Sequence, residues 1–326
     1  MKITYFHRHP SCGFSIQRVF KTLQQEIGKT LGYEEFFMPS ARSMPWDICR
    51  NNWCCFRHRK KSAVHHISGH VHEVILGLIG CKTILTVHDL VFLDNVTNPF
   101  KRFYKWLFWL YVPIKLSHRV VCISTQTKNN ILKHLATDKL VVIPNAVDPI
   151  FTHTPKEFNS AKPTILHIGT GWNKNLQKVV HALKGIPCHL RIIGKLTKKQ
   201  EEILKRNTLE YSNASKLSDA QIQQEYVHCD MVSFPSVYEG FGMPIIEGQA
   251  TGRAVLTSKI EPLMEVSGDV VTYVNPEDTD SIREGFKRLI TENTYRESII
   301  NKGLENVKRF QVKKIAEAYL EVYKNC

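Results

Sequence analysis

The sequence has no C-x-x-C pair among its nine cysteines and no regular cysteine framework, so neither a zinc ribbon nor a disulfide scaffold is encoded. Its longest apolar runs, such as residues 106–114, fall well short of the roughly 20 residues that a membrane-spanning helix needs. The opening MKITYFHRHP has no apolar core, which argues against a signal peptide. Low-complexity tracts and internal repeats are absent, as are helix-turn-helix, zinc-finger and RNA-binding signatures. Acidic residues are scarce: 30 Asp and Glu against 44 Lys and Arg leave a formal charge of +14. Without nucleic-acid motifs, that excess points to an anionic membrane surface together with an anionic ligand. Cys81, Cys122 and Cys188 lie in apolar, strand-like surroundings and read as buried, reduced thiols of a cytoplasmic protein. The sequons at Asn95 and Asn213 carry no meaning in that compartment.

What is present is an α/β pattern. At 326 residues and 43% hydrophobic content, the chain suits two domains of ordinary size. Short β-rich runs alternate with amphipathic helical ones, which predicts parallel sheets. Strands are expected at 2–6, 63–67, 82–87, 119–123 and 139–143. A helix is expected over 15–29, with Ile16, Val19, Phe20, Leu23 and Ile27 on one face. Residues 151–162 are polar and proline-flanked and read as a linker. A second sheet follows, with strands at 165–168, 188–193, 231–234, 254–256 and 270–274. From 278 to 325 the pattern is helical, with a break expected near Gln311. Residues 34–61 show no clear period.

One stretch carries the chemistry. Pro235-Ser236-Val237-Tyr238-Glu239-Gly240-Phe241-Gly242-Met243-Pro244-Ile245-Ile246-Glu247 follows a short apolar strand. Pro244 suits the start of a helix. Glu239 then lies on the turn and Glu247 in the opening turns of the helix. The small residues let backbone N–H groups approach a ligand, and the helix start adds partial positive charge. Such geometry suits a phosphate-bearing ligand whose hydroxyls are gripped by two carboxylates, as in a nucleotide sugar. Gly169-Thr170-Gly171 invites a dinucleotide-binding reading, but the third glycine position is Lys174. The next strand also ends in Gly194-Lys195 where an acid should meet the ribose. Lys174 reads better as a cation facing a diphosphate, with a solvated helix-start lysine as the alternative.

The 235–247 stretch resembles the E-x7-E signature of retaining glycosyltransferases of family four, which have the GT-B fold. KLVVIPNAVD (139–148), HRVVCIS (118–124) and ILHIGTGWNKNL (165–176) are similar to further family elements. The resemblance implies two Rossmann-like domains with parallel sheets facing a central cleft. Residues 1–150 would bind the acceptor, 151–162 link, 163–310 bind the nucleotide sugar, and 311–326 cross back as a helix to the first domain. It also implies site roles. Glu239, Lys174 and His88 would be catalytic. Gly13, Gly169, Thr170, Lys174, Glu239, Gly240, Phe241, Gly242, Met243, Pro244 and Glu247 would bind the donor. Glu239 would touch the sugar and Glu247 the ribose. The arginine that family members often carry just before Lys174 is missing, and Gly248 stands where alanine is common, leaving room for a bulky ligand or for a close helix contact.

His65, His66, His70 and His72 cluster around Gly69 without acidic or cysteine partners at metal-ligand spacing, apart from Glu73; no metal and no cofactor are expected. Residues 101–119 (KRFYKWLFWLYVPIKLSHR) interleave six aromatics with basic residues. They read equally as a membrane-surface segment or as a buried helix with a basic outer face. The expectation is a metal-independent, retaining hexosyltransferase on the cytoplasmic side, peripheral on the membrane under the first of the two readings of 101–119. It would pass a GDP- or UDP-linked sugar to a glycan or lipid-linked acceptor in surface polysaccharide synthesis. The alternative is a catalytically silent nucleotide-sugar sensor. Nucleic acid is not an expected partner.

Overall fold

The computed structural model describes residues 1–12 and 15–326 and divides into two compact units. The first comprises Met1–Ala146 with Val312–Cys326. Its strands are β1 (Lys2–His7), β2 (Tyr33–Phe37), β3 (Ala63–Ile67), β4 (Thr83–Val87), β5 (Arg119–Cys122) and β6 (Leu140–Val142). They form one parallel sheet in the order β2-β1-β3-β4-β5-β6. The helix Ser15–Ile27 covers one face with Ile16, Phe20, Leu23 and Ile27, and meets Ile315, Ala316 and Tyr319 of the final helix, Val312–Lys324. Tyr323 of that final helix is fully buried, 3.0 Å from the Tyr5 hydroxyl and 2.7 Å from His66 Nδ1. The other face is covered by the helix Pro45–His58, the 3-10 helix His72–Leu78 and the helical segment running from Pro99 through a π-helical turn at Trp106–Tyr111 to Leu116.

The second unit is Val147–Gln311. Its strands are β7 (Thr164–Ile168), β8 (His189–Ile193), β9 (Tyr211–Ala214), β10 (Met231–Phe234), β11 (Ala254–Ser258) and β12 (Thr272–Val274). They pair in parallel in the order β12-β11-β10-β7-β8-β9. Both sheets have helices on their two sides, and their strands are rich in Val, Ile and Leu, as sheets covered on both faces require. Chain order reverses between β7 and β10, and a reversal of this kind opens a crevice at the carboxyl ends of the strands.

Two strands were not expected from the sequence, β2 and β9. Both are sheet edges with polar residues, and the Asn213 sequon lies in β9. The strand expected from residue 270 begins at Thr272. The helical pattern after 278 resolves into Thr279–Thr291, Asn293–Asn306 and Val312–Lys324, with the chain extended at Gln311 (ψ 133°). Residues 151–162 contain no helix or strand and are tied to the second unit. Phe151 packs edge-on against Tyr226, and Lys156 pairs with Asp230. None of the nine cysteines is paired; five are buried, while Cys12 and Cys49 are exposed. No helix among the described residues is long and apolar enough to cross a membrane.

Candidate active site

The site grows from the two strand ends that flank the reversal. After β7 the chain turns at Gly169, whose φ of +95° suits glycine, and a Cβ there would press on the Lys174 side chain at 2.9 Å from Cγ. Lys174 closes a short 3-10 turn, Trp172–Lys174. Asn175 follows in the left-handed region (φ 62°) and opens the helix Leu176–Leu183. Its amide donates to the carbonyls of Pro235 (3.0 Å) and Pro276 (2.8 Å), which stitches the β7 turn to the loops after β10 and β12.

After β10 the chain runs through 235–242 into the helix Met243–Thr251. Gly242 is its N-cap at φ +114°, and Pro244 lies in its first turn. A Cβ on Gly242 would lie 2.7 Å from Leu263 Cδ2, so this cap takes no side chain without rearrangement. Val237 N donates to the Asn173 carbonyl at 2.9 Å, and Asn173 Nδ2 donates to the Tyr238 carbonyl at 2.9 Å. These bonds hold the two turns together.

Lys174 and Glu239 therefore meet. Lys174 Nζ lies 2.5 Å from Glu239 Oε1, which also accepts from Asn173 Nδ2 at 3.2 Å. The ammonium is also 4.7 Å from the centre of the Phe234 ring. Both side chains are mostly buried, at 22% and 13% exposure. Beneath them in β7, His167 is held neutral, its pKa lowered to about 4 by burial first and by the nearby Lys174 charge second. The amine and the first acid of the E-x7-E pair thus form one unit rather than two separate grips.

Glu247 lies one turn into the helix and is 2% exposed. Its Oε2 accepts from the Tyr226 hydroxyl at 2.6 Å, a partner that the sequence spacing does not reveal. Gly248 is explained by packing, because a Cβ would lie 3.0 Å from Val232 and Val255 methyls on β10 and β11. Thr170 donates its hydroxyl to the Lys195 carbonyl at 2.7 Å, and its own carbonyl accepts from Gln200. Lys195 is exposed at the end of β8. A groove of about 620 Å³ opens beside Val237, lined among others by Lys259, Tyr273, Asn275 and Ser281, none of which the sequence reading singled out.

In the first unit His88 is buried at the end of β4. Its Nε2 donates to the Ser68 carbonyl at 2.7 Å, and its ring stacks on His70 at 5.7 Å. Burial, then the His70 charge, lowers its pKa to about 3. A neutral imidazole that donates from Nε2 has its Nδ1 lone pair left to accept. Gly69 (φ +113°) makes room for the ring, since a Cβ there would fall 2.3 Å from His88 Cδ2. Gly13 lies outside the described residues. The histidines near Gly69 have other employment: His65 Nε2 accepts from Lys60 N, His66 bonds Thr86 and Tyr323, and His72 Nδ1 bonds the Trp109 carbonyl. Among the described residues, no three His, Cys, Asp or Glu side chains are grouped to hold a metal.

Two parallel α/β units, the second with a lysine–glutamate pair and a glycine-capped helix start at its switch point, are the architecture of GT-B glycosyltransferases. The comparisons agree. Residues 151–306 match the family model "Glycosyl transferases group 1", and residues 22–151 match "Glycosyltransferase Family 4". Between them the two models span residues 22–306, and the chain belongs to the glycosyltransferases of family-four type that they describe. It is 26% identical over 266 residues to an uncharacterised glycosyltransferase of Methanocaldococcus jannaschii, MJ1178, covering 78% of this chain and 72% of that one. It is 25% identical over 223 residues to the O-antigen chain mannosyltransferase RfbU of Salmonella typhimurium, covering 63% and 60%. Against the Escherichia coli mannosyltransferase WbdA, the chain spans only 30% of the relative's length. Among solved structures, Anabaena HepE in complex with UDP and glucose superposes with a TM-score of 0.80 at 14% identity over 100% of both chains.

Proposed function

We propose that this chain transfers a hexose from a GDP- or UDP-linked donor to a glycan or lipid-linked acceptor, with retention of configuration and without a metal ion. The reading rests on one observation above all: Lys174 and Glu239 joined at 2.5 Å at the switch point of the second unit. The leaving diphosphate gathers negative charge as the C1–O bond breaks. A fixed ammonium and the N–H groups of the 240–243 turn and the helix start offset that charge. Glu239 both carries the amine and presents a carboxylate to the sugar hydroxyls, while Glu247, steadied by Tyr226, binds the ribose. The acceptor oxygen bonds to C1 on the face the diphosphate leaves, and the diphosphate oxygen takes the acceptor's proton. For His88 and Gly13, contact with the donor is proposed from the family resemblance alone.

Mannosyltransferases of O-antigen synthesis among the relatives favour GDP-mannose as donor and a surface polysaccharide as product. The test is turnover of a donor panel in the presence of excess chelator, with anomeric configuration read by NMR. Turnover that dies with the chelator, or inverted product, refutes the corresponding part. One observation favours the silent-sensor reading: Glu239 already neutralises Lys174. Donor binding with neither transfer nor hydrolysis would decide for it.

A further inference from the structure

Exposed large apolar side chains are distributed unevenly. The second unit has two, Ile150 and Trp172. In the first unit, Trp46, Trp53, Phe56, Leu76, Ile79, Phe100, Phe103 and Tyr104 all come from the one layer that covers a single face of the sheet. Two exposures decide the matter: Trp46 and Phe100 are each 85% exposed. On the helix Pro45–His58, positions 46, 50, 53 and 57 share one outward face by helical spacing, so Trp46 and Trp53 alternate there with Arg50 and Arg57. Trp53 stacks on Phe56 at 5.5 Å, and the Arg59 guanidinium lies 4.0 Å over the Phe56 ring. The inward face of this helix, Asn51 and Cys55, is already buried, so the aromatic face is not needed by the core.

The segment from Pro99 completes the picture. Its second half turns inward, with Trp109 and Leu110 buried, whereas Phe100, Phe103 and Tyr104 stay out beside Lys101 and Arg102. Residues 101–104 are thus exposed and basic, whereas 109–110 belong to the core. Residues 42–61 carry six Lys or Arg and one acid, and residues 99–119 carry five and none.

We infer that this layer docks the first unit on an anionic lipid bilayer, with the helix Pro45–His58 lying in the plane of the headgroups. Tryptophan and phenylalanine alternating with arginine are what such an interface accepts, since rings enter the acyl boundary while guanidinium groups stay with phosphates. A protein partner would need a matching acidic, apolar surface; the one-sided positive charge around the rings fits anionic lipid. The inference stands on exposure and charge, independently of the transfer reading.

The test is flotation of the purified protein with vesicles of phosphatidylcholine and phosphatidylglycerol, against phosphatidylcholine alone. Binding is expected only with the anionic lipid, weakening with salt, and with a blue shift of tryptophan emission. Trp46→Ser with Trp53→Ser should cut partitioning on the order of tenfold, and so should Phe100→Ser with Phe103→Ser. Trp172→Ser, in the second unit, should leave partitioning unchanged. Unaltered melting temperatures establish that the variants fold, and thermal shifts with GDP and UDP follow the donor site separately. Equal binding to both vesicle types, unchanged binding in the aromatic variants, or a concentration-dependent dimer that those variants abolish without any vesicle binding would each overturn the inference.

Discussion

Replacing Lys174 with methionine separates what the Lys174–Glu239 pair does for folding from what it does for chemistry. Methionine keeps the length and apolar stem but removes the ammonium. Glu239, 13% exposed, then keeps Asn173 at 3.2 Å as its one side-chain partner among the described residues. Losing one partner of a well-buried pair costs up to about 3–5 kcal/mol, and the 22% exposure of the lysine brings that nearer to about 2 kcal/mol. For a unit of this size the melting temperature should fall by about 4–8 °C. The double variant Lys174→Met, Glu239→Gln leaves no unpaired charge and should recover at least half of that loss. Turnover should behave differently. An ammonium that offsets charge on a leaving group is worth about 10²–10³ in kcat, and the double variant should stay as slow as the single one. Differential scanning calorimetry and steady-state kinetics on the best donor are the assays. Recovery of kcat in step with stability would refute the reasoning, for the pair would then be only a strut.

Other consequences are as direct. Tyr226→Phe removes a donor at 2.6 Å from buried Glu247 and should destabilise by about 1–3 kcal/mol while raising KM for the donor more than it lowers kcat; an unchanged KM would count against a ribose contact. Gly248→Ala gains about 1 kcal/mol of helix propensity but meets two valine methyls at 3.0 Å, so a net loss of stability is expected by chemical denaturation; a gain would show that the helix can shift. Glu73 is buried and its pKa is raised to about 7 by burial. Its folded form therefore holds a proton that the unfolded chain has lost, so the contribution of this one group to stability falls between pH 4.5 and about 7, by roughly 3 kcal/mol in all. The neutral buried histidines act in the opposite sense, since His72 and His88, lowered to about 4 and about 3, destabilise the fold as pH falls below 6.5. Glu73→Gln removes the one opposing proton, so melting temperature should rise more steeply with pH between 4.5 and about 7 in the variant than in the parent; an unchanged slope would refute a protonated Glu73.

Sequence periodicity revealed the elements that bury a clean face and little else. The helix Ser15–Ile27 was legible because Ile16, Val19, Phe20, Leu23 and Ile27 all go inward. Helix Pro45–His58 was not, because its large residues face outward and its buried side includes an asparagine, an inversion that a period search cannot orient. Edge strands β2 and β9 need only one neighbour, so YEEFF and YSNA tolerate charge and amide where a central strand would not. In the site, turn chemistry placed Gly169, Lys174, Glu239, Gly242 and Pro244 on adjacent strand ends. What stayed hidden were the partners that come from distant sequence. Tyr226 reaches Glu247 from the preceding helix, and Asn175 reaches Pro276 across 101 positions.

The final helix returns to the first unit, where Tyr323 reaches Tyr5 and His66. Synthesis proceeds from the amino end, so the second unit has all of its residues once Gln311 has emerged, whereas the first, begun earlier, must wait for residues 312–326. The half translated first is completed last, and its unfinished sheet is the form a nascent-chain chaperone would meet. Trimming the carboxyl terminus should accordingly expose residues 1–146 to protease while sparing 147–311.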